Sequence, residues 1–214
     1  MALQDAGTPR HRWRVEPSAH PRYIAQMTET LLPYPPPELN PAPLLPILVP
    51  PAPILRAKAR PVGPADADRV RDLVPAMLAA MYAAPGIGLA APQVGTGLRL
   101  AVIDMQVDDK PAPIHMVNPE IIRVSEDWAT REEGCLSLPG QFADVSRPAR
   151  VAVRYLDLEG ARKEIEAEGL LAACLQHEID HLDGVLFVDH LSALKRNMIL
   201  RRLAKELKAK AQGG

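Results

Sequence analysis

The sequence feature that most constrains the fold is the pentapeptide H-E-I-D-H at residues 177–181. Residues four positions apart are neighbours on one face of an α-helix, so His177 and His181 can bind one divalent metal with Glu178 beside them. Apolar residues precede the motif at helical spacing, and they predict one helix from Leu170 through His181. The chain is therefore expected to build its fold around a helix that carries metal ligands.

A third ligand is needed, and the sequence offers two places for it. Downstream, the metzincin pattern H-E-x-x-H-x-x-G-x-x-H is matched at Gly184 but fails at Phe187. Upstream stands E-G-C-L-S, in which Cys135 is a natural ligand. One thiolate and two imidazoles leave a tetrahedral metal with an open position, as in catalytic sites. The alternative for a lone cysteine is a small buried apolar residue, our interpretation of Cys174.

A third segment, G-I-G-L-A-A-P-Q-V-G at residues 86–95, superficially matches a dinucleotide-binding loop. That loop must follow a strand and begin a helix, whereas here a predicted helix precedes the segment and a predicted strand follows it. Small residues instead let the backbone approach a ligand closely. We expect Gln93 to project its amide toward the metal site.

The rest of the chain predicts an α+β fold, with mostly antiparallel β-sheets packed around the central metal-binding helix and a C-terminal helix. An amphipathic pattern containing Pro75 indicates a kinked helix over residues 66–83, and a second helix is expected over residues 190–210. Short β-like runs predict strands at Leu98–Ile103, Ile114–Val124, Val151–Leu156 and Arg162–Ala167, the last two joined by a turn at Glu159 and Gly160.

Composition limits the classes of function. A hydrophobic fraction of 47% suits a globular core, and no stretch approaches the roughly 20 apolar residues of a membrane-spanning helix. The formal net charge of −1 gives no general reason to bind nucleic acid or acidic membranes. Two cysteines are not a disulfide framework, which favours a reducing, cytoplasmic setting.

The beginning of the chain differs from the remainder. Ten of the 23 prolines fall between Pro33 and Pro53, which disfavours regular structure there. We expect residues 1–43 to form a disordered, proline-rich extension and residues 44–214 to form one catalytic domain. Two alternatives stay open for the extension: an organelle transit peptide, and a natural start at Met27.

In this order, the three segments resemble the signature motifs of peptide deformylases, G-x-G-x-A-A-x-Q, E-G-C-x-S and H-E-x-D-H. The similarity extends from about residue 54 through the C-terminal helix. It implies a metal-dependent hydrolase that removes the N-formyl group from the N-terminal formylmethionine of nascent polypeptides and releases formate. The metal implied is Fe2+, one per chain, with Zn2+, Ni2+ or Co2+ as substitutes.

The resemblance also implies a role for each matching residue. Cys135, His177 and His181 would bind the metal, whose water attacks the formyl carbon while Glu178 acts as general base and acid. Gln93 and the backbone N–H of Leu136 would stabilise the oxyanion. The residues implied for peptide and methionine binding are Ile87, Gly88, Gly134, Leu170 and Cys174. One departure is Phe142, because some bacterial members carry an arginine there that contacts the peptide.

Two competing functions remain at this point: a zincin-type metallopeptidase, and a catalytically inactive deformylase-like binding protein. The C-terminal helix suggests a partner, because basic residues crowd it and could contact ribosomal RNA. They could equally complement the helix dipole behind a packing face formed by Leu191, Leu194, Met198, Leu203 and Leu207. The chain is expected to be a monomer.

Overall fold

The computed structural model describes residues 44–106 and 110–212. The expectations for residues 1–43, including the transit peptide and the start at Met27, lie outside these residues. The described helices are α1, α2 and α3, at Ala67–Ala83, Gly169–Leu182 and Ala193–Gln212. They lie within a few residues of the three predicted helices, and α1 contains Pro75 as expected.

Seven strands form two antiparallel sheets. The strands are β1 (Gly88–Ala90), β2 (Leu100–Ile103), β3 (Ile114–Val124), β4 (Trp128–Cys135), β5 (Leu138–Pro148), β6 (Arg150–Leu156) and β7 (Arg162–Glu168). The first sheet has the order β1-β2-β3-β6-β7, and β4 pairs with β5 in the second. The predicted α+β class with mostly antiparallel strands is confirmed.

The main apolar core lies between α1 and the five-stranded sheet. The α1 residues at helical spacing, from Val70 to Met81, are buried against Leu89, Leu100 and Val102 of the sheet. Burial of a side chain of this size stabilises a fold by about 1.5–3 kcal/mol. This core supports β1, which borders the candidate active site.

Helix α2 is the central element. Ten of its 14 residues are buried, and it contacts β1, β2 and β7 of the five-stranded sheet. It begins at Gly169, whose φ of +65° is a left-handed backbone conformation that favours glycine. Because its histidines belong to the buried set, the predicted central helix is confirmed.

Three strands were absent from the sequence prediction. Strand β4 is mostly polar and exposed, and β5 contains two prolines and a glycine, so neither shows the apolar alternation that identifies strands. Strand β1 has three residues and lies in the glycine-rich segment. These strands depend on tertiary pairing that local sequence does not reveal.

The predicted packing face of α3 was wrong in part. Leu203 is buried, and Leu191 and Leu207 pack beside it, but Leu194 and Met198 are 72% and 63% exposed. The buried stripe runs through Ile199, Leu203 and Leu207 at four-residue spacing, and a residue one position away points about 100° off it. Among the described residues, no helix is long and apolar enough to cross a membrane.

Candidate active site

Three side chains meet where the end of β4 approaches α2. One ligand atom from each of Cys135, His177 and His181 lies within 4.8 Å of the others, and Cys135 Sγ is 3.1 Å from His181 Nε2. Both histidines are buried, and Cys135 is partly buried. Strand β4 ends at Cys135 with a shift in register against β5, so the thiol leaves the ladder and faces the helix.

The imidazole orientations suit a metal. His177 Nδ1 is 3.0 Å from Glu133 Oε2, which leaves Nε2 for a ligand. His181 directs Nε2 toward the thiol, while its buried Nδ1 has no hydrogen-bond partner in the described part of the chain. One sulfur and two nitrogens so close together match the donor set of a catalytic divalent-metal site, so the residues present fit the expected ion.

Glu133 belongs to a buried ionic network behind His177. Arg147 donates from Nε to Glu133 Oε1 at 2.6 Å and from Nη2 to Oε2 at 3.0 Å. Its Nη1 donates to Asp180 Oδ2 at 2.7 Å, and His190 Nε2 is 2.7 Å from the same oxygen. Asp180 of α2 therefore pairs with both Arg147 and His190.

Electrostatics separate the roles of Cys135 and Glu178. Burial raises the pKa of Cys135, but His181 and His177 lower it more, so the net pKa lies well below the usual thiol value. Burial also raises the pKa of Glu178 to about 7, although the two imidazoles oppose the shift. A carboxyl group that titrates near neutral pH is suited to both accept and donate a proton.

Glu178 lies against the glycine-rich segment. A Cβ atom added at Gly88 would be 2.3 Å from Glu178 Oε1 and 2.9 Å from Cys174 Sγ, so only glycine fits there. Glu178 Oε2 is buried and has no hydrogen-bond partner within the described ranges. The glycine of β1 thus allows a close approach of the backbone to the carboxylate of Glu178, whereas the predicted approach to a ligand stays a prediction.

Gln93 follows β1 in a short 3-10 helix, Ala91–Val94. Its Oε1 accepts the backbone N–H of Ala90 at 2.8 Å, and its Nε2 donates to Ser137 Oγ at 3.2 Å. The same nitrogen lies 3.6 Å from Cys135 Sγ, on the side where the sequence predicted it. The amide is therefore held at both its oxygen and its nitrogen, beside the Cys135 thiol.

The remaining predicted residues surround this centre at different depths. The Ile87 carbonyl accepts the backbone N–H of Asp104. Cys174 is buried, and its Sγ lies 3.8 Å from the same carbonyl oxygen. Leu170 is 51% exposed at the start of α2. A Cβ atom at Gly134 would lie 2.5 Å from the Phe142 ring, so this exposed ring covers the strand next to Cys135.

Residues 44–197 match the family model of polypeptide deformylase, which covers more than half of the chain. The chain belongs to the polypeptide deformylase family. Deformylases are metal-dependent hydrolases of N-terminal processing in protein biosynthesis. The cluster of Cys135, His177 and His181 therefore lies in a fold whose relatives carry out hydrolysis.

Individual deformylases support the assignment. A peptide deformylase of Mesorhizobium japonicum is 54% identical over 172 residues, which cover 80% of this chain and 97% of that protein. The crystal structure of a peptide deformylase from Legionella pneumophila has a TM-score of 0.75 at 48% identity, over 80% of this chain and 100% of its own. A deformylase from Synechococcus elongatus in complex with actinonin has a TM-score of 0.70 at 44% identity, over 75% and 88% of the two chains.

Sequence reasoning missed several residues of this deformylase site. Glu133 stands inside the E-G-C-L-S motif, and its position two residues before a ligand was the available signal for a partner of a histidine ring. Ser137, in the same motif, holds Gln93. Phe187 was noted only as a failed ligand position and His190 carried no local signal, because only the fold brings them beside α2.

Proposed function

We propose that this chain hydrolyses the N-formyl group of N-terminal formylmethionine on nascent polypeptides and releases formate. The observation that carries the proposal is the Cys135, His177 and His181 cluster with Glu178 buried beside Gly88, in a chain of the deformylase family. We further propose that residues 44–214 form the catalytic domain, that residues 1–43 are an extension outside the chemistry, and that the protein works in the cytoplasm.

Cys135, His177 and His181 would hold one Fe2+ per chain, with Zn2+, Ni2+ or Co2+ able to replace it. The lowered pKa of Cys135 supports this, because a metal binds the thiolate. The bond from His177 to Glu133 supports it as well, because metal-binding histidines usually donate their second ring N–H to such a partner. When bound, the ion would supply hydroxide near neutral pH by lowering the pKa of water.

Glu178 would act as general base and then general acid. It would take a proton from the attacking water as the water oxygen bonds to the formyl carbon, and it would return that proton to the leaving amine as the C–N bond breaks. A pKa of about 7 places the carboxyl group between its two states at the pH of the cell. The tight fit against Gly88 limits the positions that the carboxylate can adopt.

Gln93 and the backbone N–H of Leu136 would stabilise the oxyanion that forms on the formyl oxygen. Donors fixed before the reaction are the effective ones, because they need no reorganisation as the charge develops. Gln93 meets this condition, since Ala90 and Ser137 hold its amide from both sides. Leu136 follows Cys135 directly, so its N–H lies at the same end of β4.

The substrate peptide would add as a strand along β1, which is an edge of its sheet. Ile87 lies in a hydrogen-bonded pair with Asp104, so the alternation of an antiparallel ladder turns the backbone of Gly88 toward the open edge.

Gly134 would contact the peptide from the facing strand. Ile87, Leu170 and Cys174 would line the methionine pocket, and Phe142 would offer an apolar contact in place of arginine.

We also propose ribosome docking through α3, with the protein otherwise a monomer. Six of the basic residues are exposed: Lys195, Arg201, Arg202, Lys205, Lys208 and Lys210. Exposed Leu194 and Met198 add apolar surface on the same helix. Co-sedimentation with ribosomes at increasing salt tests this, because binding dominated by phosphate contacts weakens steeply with ionic strength.

The deciding experiment combines anaerobic metal analysis with an assay on a formyl-methionyl peptide. We expect one metal per chain, release of formate and no cleavage of the same peptide without its formyl group. Cleavage of internal peptide bonds would instead support the zincin-type peptidase. Tight binding of the formylated peptide with no formate release would support the inactive binding protein.

A further inference from the structure

We propose that His190 is a positioning residue for His177 and therefore for the metal site. The inference rests on the proposed function, because it assigns His177 as a metal ligand. It concerns a short 3-10 turn, Phe187–His190, that follows α2. The turn is connected to His177 by one direct ring contact and by one indirect chain of hydrogen bonds.

The direct route is through Phe187. Its ring is fully buried and stacks on the His177 imidazole, with centroids 6.3 Å apart and planes inclined by 21°. This is the position at which a metzincin would place its third histidine ligand. Here the residue limits the tilt of an existing ligand rather than adding a new one.

The indirect route begins at His190 and crosses the ionic network. His190 Nε2 is 2.7 Å from Asp180 Oδ2 and 3.4 Å from Arg147 Nη1. Arg147 binds both Asp180 and Glu133, and Glu133 meets His177 Nδ1. Each step is a hydrogen bond or ion pair, so the position of the Arg147 guanidinium is coupled to the orientation of the ring.

His190 is the outer end of this chain of contacts. Its side chain is 34% exposed, whereas that of Arg147 is only 7% exposed. Without His190, Asp180 would keep only Arg147 among the partners that the structure gives its carboxylate. The carboxylate could then move toward solvent and draw the guanidinium from Glu133, which would loosen the support of His177.

The turn has a separate anchor, which provides a matched control. Asp189 Oδ2 accepts the backbone N–H of Leu186 at 2.8 Å, and its carboxylate pairs with Arg56. The variant Asp189→Asn keeps an oxygen for Leu186 but removes the charge that pairs with Arg56. It removes a charge from the same turn without touching the contact between His190 and Asp180.

The test measures Co2+ affinity and the visible absorption of the Co2+-loaded full-length protein. We expect His190→Phe to weaken Co2+ binding by about 10-fold and to shift the absorption, since loss of such outer partners costs about 10- to 100-fold in affinity. The kcat for a formyl-methionyl peptide should fall while KM stays unchanged. The variant His190→Gln, whose amide can reach Asp180, should restore the wild-type Co2+ affinity, absorption and kcat. The variant Asp189→Asn should leave these three quantities as in the wild type.

His190→Phe with wild-type Co2+ affinity and absorption would overturn the proposal, whatever its thermal stability. If that variant fails to fold, His190→Ala and His190→Gln decide the matter by the same two measurements. A wild-type chain that binds no Co2+ through a thiolate would overturn the proposed function itself. The two failures are distinguishable, because one is seen in the wild type and the other only by comparing the variant with a wild type that binds Co2+.

Discussion

The two sheets each carry an arginine–glutamate pair, and the pairs differ in almost everything but their chemistry. In the β4–β5 sheet, Arg147 and Glu133 are 7% and 8% exposed and join His177. In the five-stranded sheet, Arg154 and Glu164 are 42% and 52% exposed and face each other across β6 and β7. Burial turns the first pair into part of a site, whereas water screens the second.

This difference extends to the sheets as wholes. The five-stranded sheet buries apolar residues against α1 and α2, which supplies stability. The two-stranded sheet provides Cys135 and the ionic support of a histidine. We therefore expect changes near the β4–β5 sheet to alter metal binding and turnover, and changes in the core of the larger sheet, away from β1, to alter stability alone.

Replacement of Glu178 should have the largest effect on turnover, because Glu178 is the proposed general base. It lies on α2, close to both sheets at the candidate site. Glu178→Ala should reduce turnover of a formyl-methionyl peptide by about 10²- to 10⁴-fold, the usual contribution of a general base. Metal content should be unchanged, because the three ligands remain. Steady-state kinetics with metal analysis measure both quantities.

The isosteric variant Glu178→Gln should show the same loss, since it keeps the shape but cannot take the proton. Glu164→Ala, an exposed carboxylate on β7, should retain wild-type turnover. Near-normal turnover by a Glu178→Ala protein with full metal content would refute the mechanism.

Replacement of Gln93 should give the next largest loss of turnover. The Gln93 side chain bridges the two sheets. It hydrogen-bonds Ala90 at the end of β1 and Ser137 beside β5. Gln93→Ala should lower kcat by about 10²- to 10³-fold, as expected for one lost oxyanion donor, without loss of metal. A fall in metal content that matches the fall in kcat would show instead that Gln93 acts by supporting Cys135.

How much of this organisation was visible in the sequence depends on the range of the interactions. The helix with His177 and His181 was predictable because four-residue spacing is a local property. Cys135 and Gln93 were reached through motifs, and their positions agree with the structure. Strands β4 and β5 were missed because their residues are polar or proline-containing, and the same sheet contributes most of the unpredicted network.

In α3 the error was of the opposite kind, because exposed residues were predicted to be buried. Apolar residues at helical spacing were assigned to packing, but Leu194 and Met198 are largely exposed. Hydrophobic periodicity gives the presence of a helix more reliably than the direction that it faces, because the partner surface decides the direction.

Glu133 tests the buried pair directly. Glu133→Gln removes the charge that Arg147 and His177 share, and breaking a buried ion pair costs about 3–5 kcal/mol in unfolding free energy. We expect the lower end, because Arg147 keeps Asp180. Metal affinity should fall by about 10- to 100-fold, measured by chelator competition.

Leu100→Ala is the matched change in the five-stranded sheet. Leu100 is fully buried in the α1 core, and truncation should cost about 2–5 kcal/mol by cavity formation. Metal affinity should stay at the wild-type value. The comparison between the sheets fails if both variants lose metal affinity to the same extent.

Arg154 gives the smallest effect and tests the exposed pair. Arg154 Nε donates to Glu164 Oε1 at 2.9 Å between directly opposed residues of β6 and β7. Because both side chains are solvated, Arg154→Ala should change the unfolding free energy by less than about 1 kcal/mol, with metal affinity and turnover unchanged. Denaturant unfolding in low and in high salt measures this, and the difference between variant and wild type should shrink in high salt as the pair is screened. A loss as large as that of Glu133→Gln would mean that burial does not separate the two pairs, and the contrast between the sheets would have to rest on the site alone.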